Sequence, residues 1–121
     1  MNFELTEEQI MIRDAAREYA QREAIKDVLE RDAKAEFPTH HVKAIGELGF
    51  LGMMADPKYG GGGMDTVSYV LAIEEISKVD ASLSVIMSVN NSLVVWGIEK
   101  YGTEAQKEKF LPPLCDGRQI G

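Results

Sequence analysis

The run Ala81–Ile98, ASLSVIMSVNNSLVVWGI, holds no ionisable side chain, although 27% of the whole sequence is charged. A run of this kind must be buried by something. It is short for a membrane span and contains Ser82, Ser84, Ser88, Asn90 and Asn91, with Asp80 and Glu99 closing it directly. It is also far longer than an ordinary strand and has no internal turn signal. The reading that fits is a helix apolar on nearly all sides, lying inside a protein. Such a helix needs partners all round, and the remainder of the chain has few residues with which to provide them.

The 121 residues make one domain of ordinary globular composition. A formal charge of −7, with no Lys/Arg run, argues against nucleic acid or an anionic membrane surface as partner. The lone Cys115 excludes an internal disulfide and a multi-cysteine metal site. The start, MNFELTEEQ, has neither a basic region nor an apolar stretch, so the chain is expected to be cytoplasmic.

Thr6-Glu7-Glu8-Gln9 is a capping-box pattern opening a first helix, on which Met11, Ile12, Ala15, Ala16, Tyr19 and Ala20 recur at helical spacing. Ile25, Val28 and Leu29 continue the spacing until Phe37-Pro38 halts it. Thr39 is placed to cap a third helix with Val42, Ile45 and Leu48 inward and Gly49 as its end. Asp56-Pro57 and four glycines make residues 51–65 the principal loop. Thr66 or Asp65 caps the next helix, the apolar run follows, and Thr103 opens a last helix that Pro112-Pro113 should end. The sum is an all-α bundle of about six helices with no strand and no repeat.

Candidate sites are few. Gly60–Gly63 lacks the pattern of a phosphate loop, and positive φ in a helix-to-helix connection is the stronger reading. His40 and His41 point about 100° apart on a helix and close no metal site without other ligands; a solvated surface role is expected. Glu74 and Glu75 are paired carboxylates, but Lys78 lies four residues after Glu74, the spacing of a surface ion pair. Ser88, Ser92 and the histidines form no nucleophile constellation, Cys115 has no evident base, and Trp96 reads as packing. No residue qualifies as catalytic, cofactor-binding or metal-binding.

Taken in order, LTEEQ, ELGFLGMMADPKYGGGG, EEISKVDAS and YGTEAQK resemble the N-terminal helical domain of the acyl-CoA dehydrogenases, the short-chain or butyryl-CoA type above all, over essentially residues 1–121. The resemblance implies a larger subunit with a middle β-domain and a C-terminal helical domain, assembled into oligomers. FAD would lie between those other domains. A carboxylate base would take the α-proton of an acyl-CoA while the β-hydride passes to the flavin, giving the trans-2-enoyl-CoA, and electron-transferring flavoprotein would reoxidise it. The resemblance also implies that Ile120-Gly121 falls where the middle domain would begin, so that this chain by itself binds no FAD and is inert. It assigns Val85, Ile86, Val89 and Leu93 to the wall of the acyl pocket, with bulk suited to a short acyl chain. Two rivals stand beside this reading: a free-standing helical binding or assembly module, and a related flavin monooxygenase or nitroalkane oxidase.

Overall fold

The computed structural model describes residues 1–121 as six α-helices without strands, joined by short connections except for the long loop between the third and fourth. They are α1 (Glu7–Arg22), α2 (Val28–Lys34), α3 (Thr39–Glu47), α4 (Thr66–Ser77), α5 (Ala81–Tyr101) and α6 (Glu104–Asp116). Short 3₁₀ turns occupy Ala24–Lys26 and Pro57–Tyr59.

Helix starts follow the local chemistry of the sequence. Thr6 with Gln9 and Thr103 with Gln106 form complete capping boxes, satisfying amides that the first helical turn leaves free. Asp65 accepts from the Ser68 amide and so caps α4, which leaves Thr66 as the first helical residue. Thr39 likewise lies inside α3 and caps nothing; Pro38 holds the capping position. The second helix stops before Phe37-Pro38, because Ala35 takes a left-handed conformation at φ 53°. Gly49, at φ 83°, follows the end of α3 as expected.

α1 and α4 lie side by side and run the same way: Gln9 Nε2 donates to Asp65 at their starts, and Arg17 meets Glu75 farther along. The main core gathers Ile12, Ala16 and Ala20 of α1, Val42 and Ile45 of α3, Phe50, Leu51 and Met53 of the loop, Ala72 and Ile76 of α4, and Leu83 and Met87 of α5. A smaller cluster joins Ala55, Tyr59 and Val95 to Leu111, Leu114 and Cys115 of α6. Gly46 is what lets α3 cross the end of α6, since a Cβ there would stand 2.5 Å from the Asp116 carbonyl oxygen.

Several expectations are corrected. The inward stripe of α1 is narrower than its spacing suggested, because alanines pack at closest approach to α4 while Met11 and Ala15 face out. Leu48, at the C-cap of α3, also faces out. α6 continues through Pro112 and Pro113. Neither proline has an amide to donate, and the carbonyls left without partners, those of the exposed Glu108 and Lys109, are on the outer side of the helix.

The largest correction concerns α5. Although long and apolar enough to cross a membrane, it is built into the protein along one side and open along the other. Leu83, Ser84, Met87, Asn90, Asn91 and Val95 are buried, whereas Val85, Leu93 and Trp96 are 59%, 67% and 48% exposed. It is therefore not surrounded within these residues.

Candidate functional site

Asp80 sets the start of α5. One oxygen accepts from the Leu83 amide at 3.0 Å, capping the helix, and the other meets Arg31 Nη2 at 2.7 Å. Both side chains are buried, so the pair ties α2 to α5 in a low-dielectric setting. Arg31 also lies 3.2 Å from Asp27, whose second partner is His41 at 2.8 Å; His41 in turn meets the Tyr19 hydroxyl. His41 is thus a buried bridge between α1 and α2 rather than a solvated residue. Its neighbour His40 is exposed, as expected.

Halfway along, α5 widens into a π turn over Asn90–Val95. An α-helix would turn consecutive residues about 100° apart, but here Asn90 and Asn91 are both buried. Asn90 Nδ2 donates to the Leu51 and Leu114 carbonyls, and its oxygen accepts from the Gly121 amide. Asn91 accepts from the Met53 amide and donates to the Phe50 and Met87 carbonyls, each at 2.8 Å. The two amides clamp the irregular 50–53 segment and the end of α6 onto α5.

That clamp fixes which side of α5 faces outward. Val85 and Leu93 are exposed on it, and Ile86 and Val89 are half-buried beside them. Val85 and Ile86 border a groove of about 600 Å³ with Phe37, Arg31 and Asp80. Val89 and Leu93 lie farther along the same helix, outside that groove. The four predicted positions therefore form one strip, only the first half of which lines a concavity.

The glycine loop is a structural turn. Gly60 and Gly63 have φ of 88° and 59°, and the amides of Gly61, Gly62 and Gly63 donate to the carbonyls of Asp56, Gly52 and Ala55. Those amides are already engaged, so the loop offers no cradle to a phosphate or to the diphosphate of a flavin.

The carboxylate pair is structural too. Lys78 reaches Glu74 at 3.5 Å as expected, but it lies nearer to Glu75, at 2.8 Å. Glu75, only 4% exposed, also receives a two-pronged pair of bonds from Arg17 at 3.0 and 3.1 Å. The Arg17 guanidinium, outweighing burial, holds its carboxyl down at about 2. An acid held so low is a poor proton acceptor at neutral pH. Because the folded value lies below the unfolded one, this stability is complete above pH ~4.5 and is lost as pH falls toward ~2. With solvent screening at the outer ends of Arg17 and Lys78, the loss is about 2 kcal/mol. Urea unfolding at stepped pH measures it, and the Glu75→Gln variant should lack this part of the acid slope. Burial pushes the Cys115 thiol up to about 11, which leaves it unreactive at neutral pH.

Residues 6–118 match the family described as acyl-CoA dehydrogenase, N-terminal domain. The chain belongs to the acyl-CoA dehydrogenase family. The short-chain specific acyl-CoA dehydrogenase of Clostridium acetobutylicum is 42% identical over the whole chain, and the mitochondrial short-chain specific enzyme of Mus musculus is 42% identical over 98% of it. Among solved structures, butyryl-CoA dehydrogenase from Megasphaera elsdenii superposes on the whole chain with a TM-score of 0.92 at 38% identity. A glutaryl-CoA dehydrogenase from Mycobacterium smegmatis in complex with FADH2 covers 97% of the chain with a TM-score of 0.92 at 33% identity. The chain spans 29–32% of the length of these acyl-CoA dehydrogenases. Nothing in the sequence singled out His41 or the double asparagine as structural joints; the only signal was the presence of amide side chains inside an apolar run.

Proposed function

We propose that residues 1–121 are the N-terminal helical domain of an FAD-dependent acyl-CoA dehydrogenase acting on short-chain acyl-CoA thioesters, in which the open side of α5 forms part of the acyl-pocket wall. The observation that carries this reading is the strip Val85, Ile86, Val89 and Leu93, held outward by a helix pinned on its other side through Asp80, Asn90 and Asn91. A strip of this kind is apolar surface awaiting a cover. Branched side chains along it, in place of glycine or alanine, fill volume that a longer acyl chain would need. The short-chain specific relatives support the same substrate class.

By itself the chain is inert in this account. Its buried carboxylates, Glu75 and Asp80, are both committed to ion pairs, and its glycine loop has no amides to offer a flavin. The base and the flavin site belong to other parts of the proposed enzyme, a homo-oligomer passing its electrons to electron-transferring flavoprotein.

The reading is tested by exchanging residues 1–121 for the matching segment of the Clostridium acetobutylicum relative and introducing Leu93→Asp. An unpaired carboxylate on an apolar wall costs more than ~1.4 kcal/mol, so kcat/KM for butyryl-CoA should fall at least about tenfold with flavin content unchanged. An unchanged kcat/KM would remove Leu93 from the site.

A further inference from the structure

Asp27 occupies the capping position of α2 yet caps nothing. Its carboxylate reaches across to α3 instead, with one oxygen 2.8 Å from His41 Nε2 and the other 3.5 Å from His40 Nε2. The two imidazoles are tilted by 41° with centroids 3.9 Å apart, and both direct Nε2 at the same carboxylate. The expectation that adjacent histidines need another ligand is met here by Asp27, and the donor atoms of all three residues lie within 4.8 Å of one another.

We propose that Asp27, His40 and His41 form a binding site for a divalent late-transition ion such as zinc. Two donors on a tetrahedral zinc at ~2.0–2.2 Å stand about 3.3–3.6 Å apart. The donors, which now lie within 4.8 Å of one another, must therefore close by rotation of the exposed His40, and the carboxylate must draw back from His41 by about half an ångström. Asp27 can make that movement. Arg31 Nε faces it at 3.2 Å without forming a hydrogen bond, and the Arg31 hydrogen bond goes to Asp80 through Nη2.

The surroundings of His41 suit a ligand. Its Nδ1 side meets the Tyr19 hydroxyl, so with an ion on Nε2 the Nδ1–H donates to Tyr19 Oη and fixes the ring. The ion takes the place of the proton that Nε2 shares with the carboxylate, and in the neutral ring that proton passes to Nδ1. Entry is open, because His40 is 69% exposed and Asp27 28%. Two imidazoles and one carboxylate favour zinc, nickel or copper over magnesium and calcium. The Arg31 guanidinium and the N-terminal end of α3 both oppose a cation and weaken its binding.

Isothermal titration of the tag-free chain with zinc chloride, and separately with magnesium chloride, tests the site. The expected result is one zinc per chain and no saturable magnesium heat. His40→Ala, at an exposed position, should weaken zinc about tenfold or more, and Tyr19→Phe, which touches no ion, about tenfold. A folded chain with no saturable zinc binding overturns the proposal, and so does a zinc affinity that His40→Ala leaves unchanged.

Discussion

Replacing Asn91 by Leu is expected to destabilise the fold by about 3–4 kcal/mol, among the largest effects available to a single substitution in this chain. Leucine keeps the branched shape, at a somewhat larger volume, and the helix, but leaves the Met53 amide and the Phe50 carbonyl buried without their 2.8 Å partners. Each orphaned group costs about 1–3 kcal/mol, and the 50–53 segment has no regular structure of its own to absorb them. Asn91→Asp should be at least as damaging, because it keeps the acceptor for Met53 but places a carboxylate against two carbonyl oxygens. Urea denaturation reads both. A loss below about 1 kcal/mol for Asn91→Leu would mean that the loop pairs equally well elsewhere, contrary to the clamp described.

Asp80→Ala should cost about 3–5 kcal/mol by stranding the buried Arg31 guanidinium, with about 1 kcal/mol of that arising from the lost α5 cap. The two contributions can be separated. Asp80→Ser keeps a capping oxygen without the charge, and adding Arg31→Met to it removes the stranded cation. The double variant is expected to regain most of the loss, since an apolar replacement for a buried pair is often neutral. If the double variant is instead as unstable as the sum of its parts, the cost is packing and not charge, and the pair has been misjudged.

These two joints also mark the boundary of what the sequence revealed. Local rules found what local chemistry decides: the capping boxes at Thr6 and Thr103, the stop at Gly49, the glycine loop and an all-α count of six. They missed what long-range pairing decides. His41 reads as a surface residue by its neighbours in sequence, and only the approach of α1 and α2 gives it Tyr19 and Asp27. Pro112-Pro113 reads as a break, yet the prolines sit where the carbonyls they leave unpaired belong to exposed residues. Glu74 carries the i,i+4 signal, while Glu75 one position on is the residue that meets α1.

The apolar run shows both the strength and the failure of periodicity. Its lack of charge correctly marked a helix integral to the fold, but composition could not say which side would be covered. The asparagines decide that. Two amides in an apolar helix must find partners, and the π turn brings both to the side where the backbone of residues 50–53 and the end of α6 supply them. Val85, Val89 and Leu93 are left on the other side as a consequence. The family resemblance placed these residues at a pocket; the structure places them on one outward strip.

The most direct measurement is butyryl-CoA-dependent reduction of a dye acceptor by the unmutated exchange protein, in which residues 1–121 replace their counterpart in the Clostridium acetobutylicum relative. The account predicts a flavin-loaded protein that oxidises butyryl-CoA within about tenfold of the parent enzyme, a tolerance of ~1.4 kcal/mol at the transition state, with turnover falling as the acyl chain lengthens. A folded, flavin-loaded exchange protein that does not oxidise butyryl-CoA would contradict it.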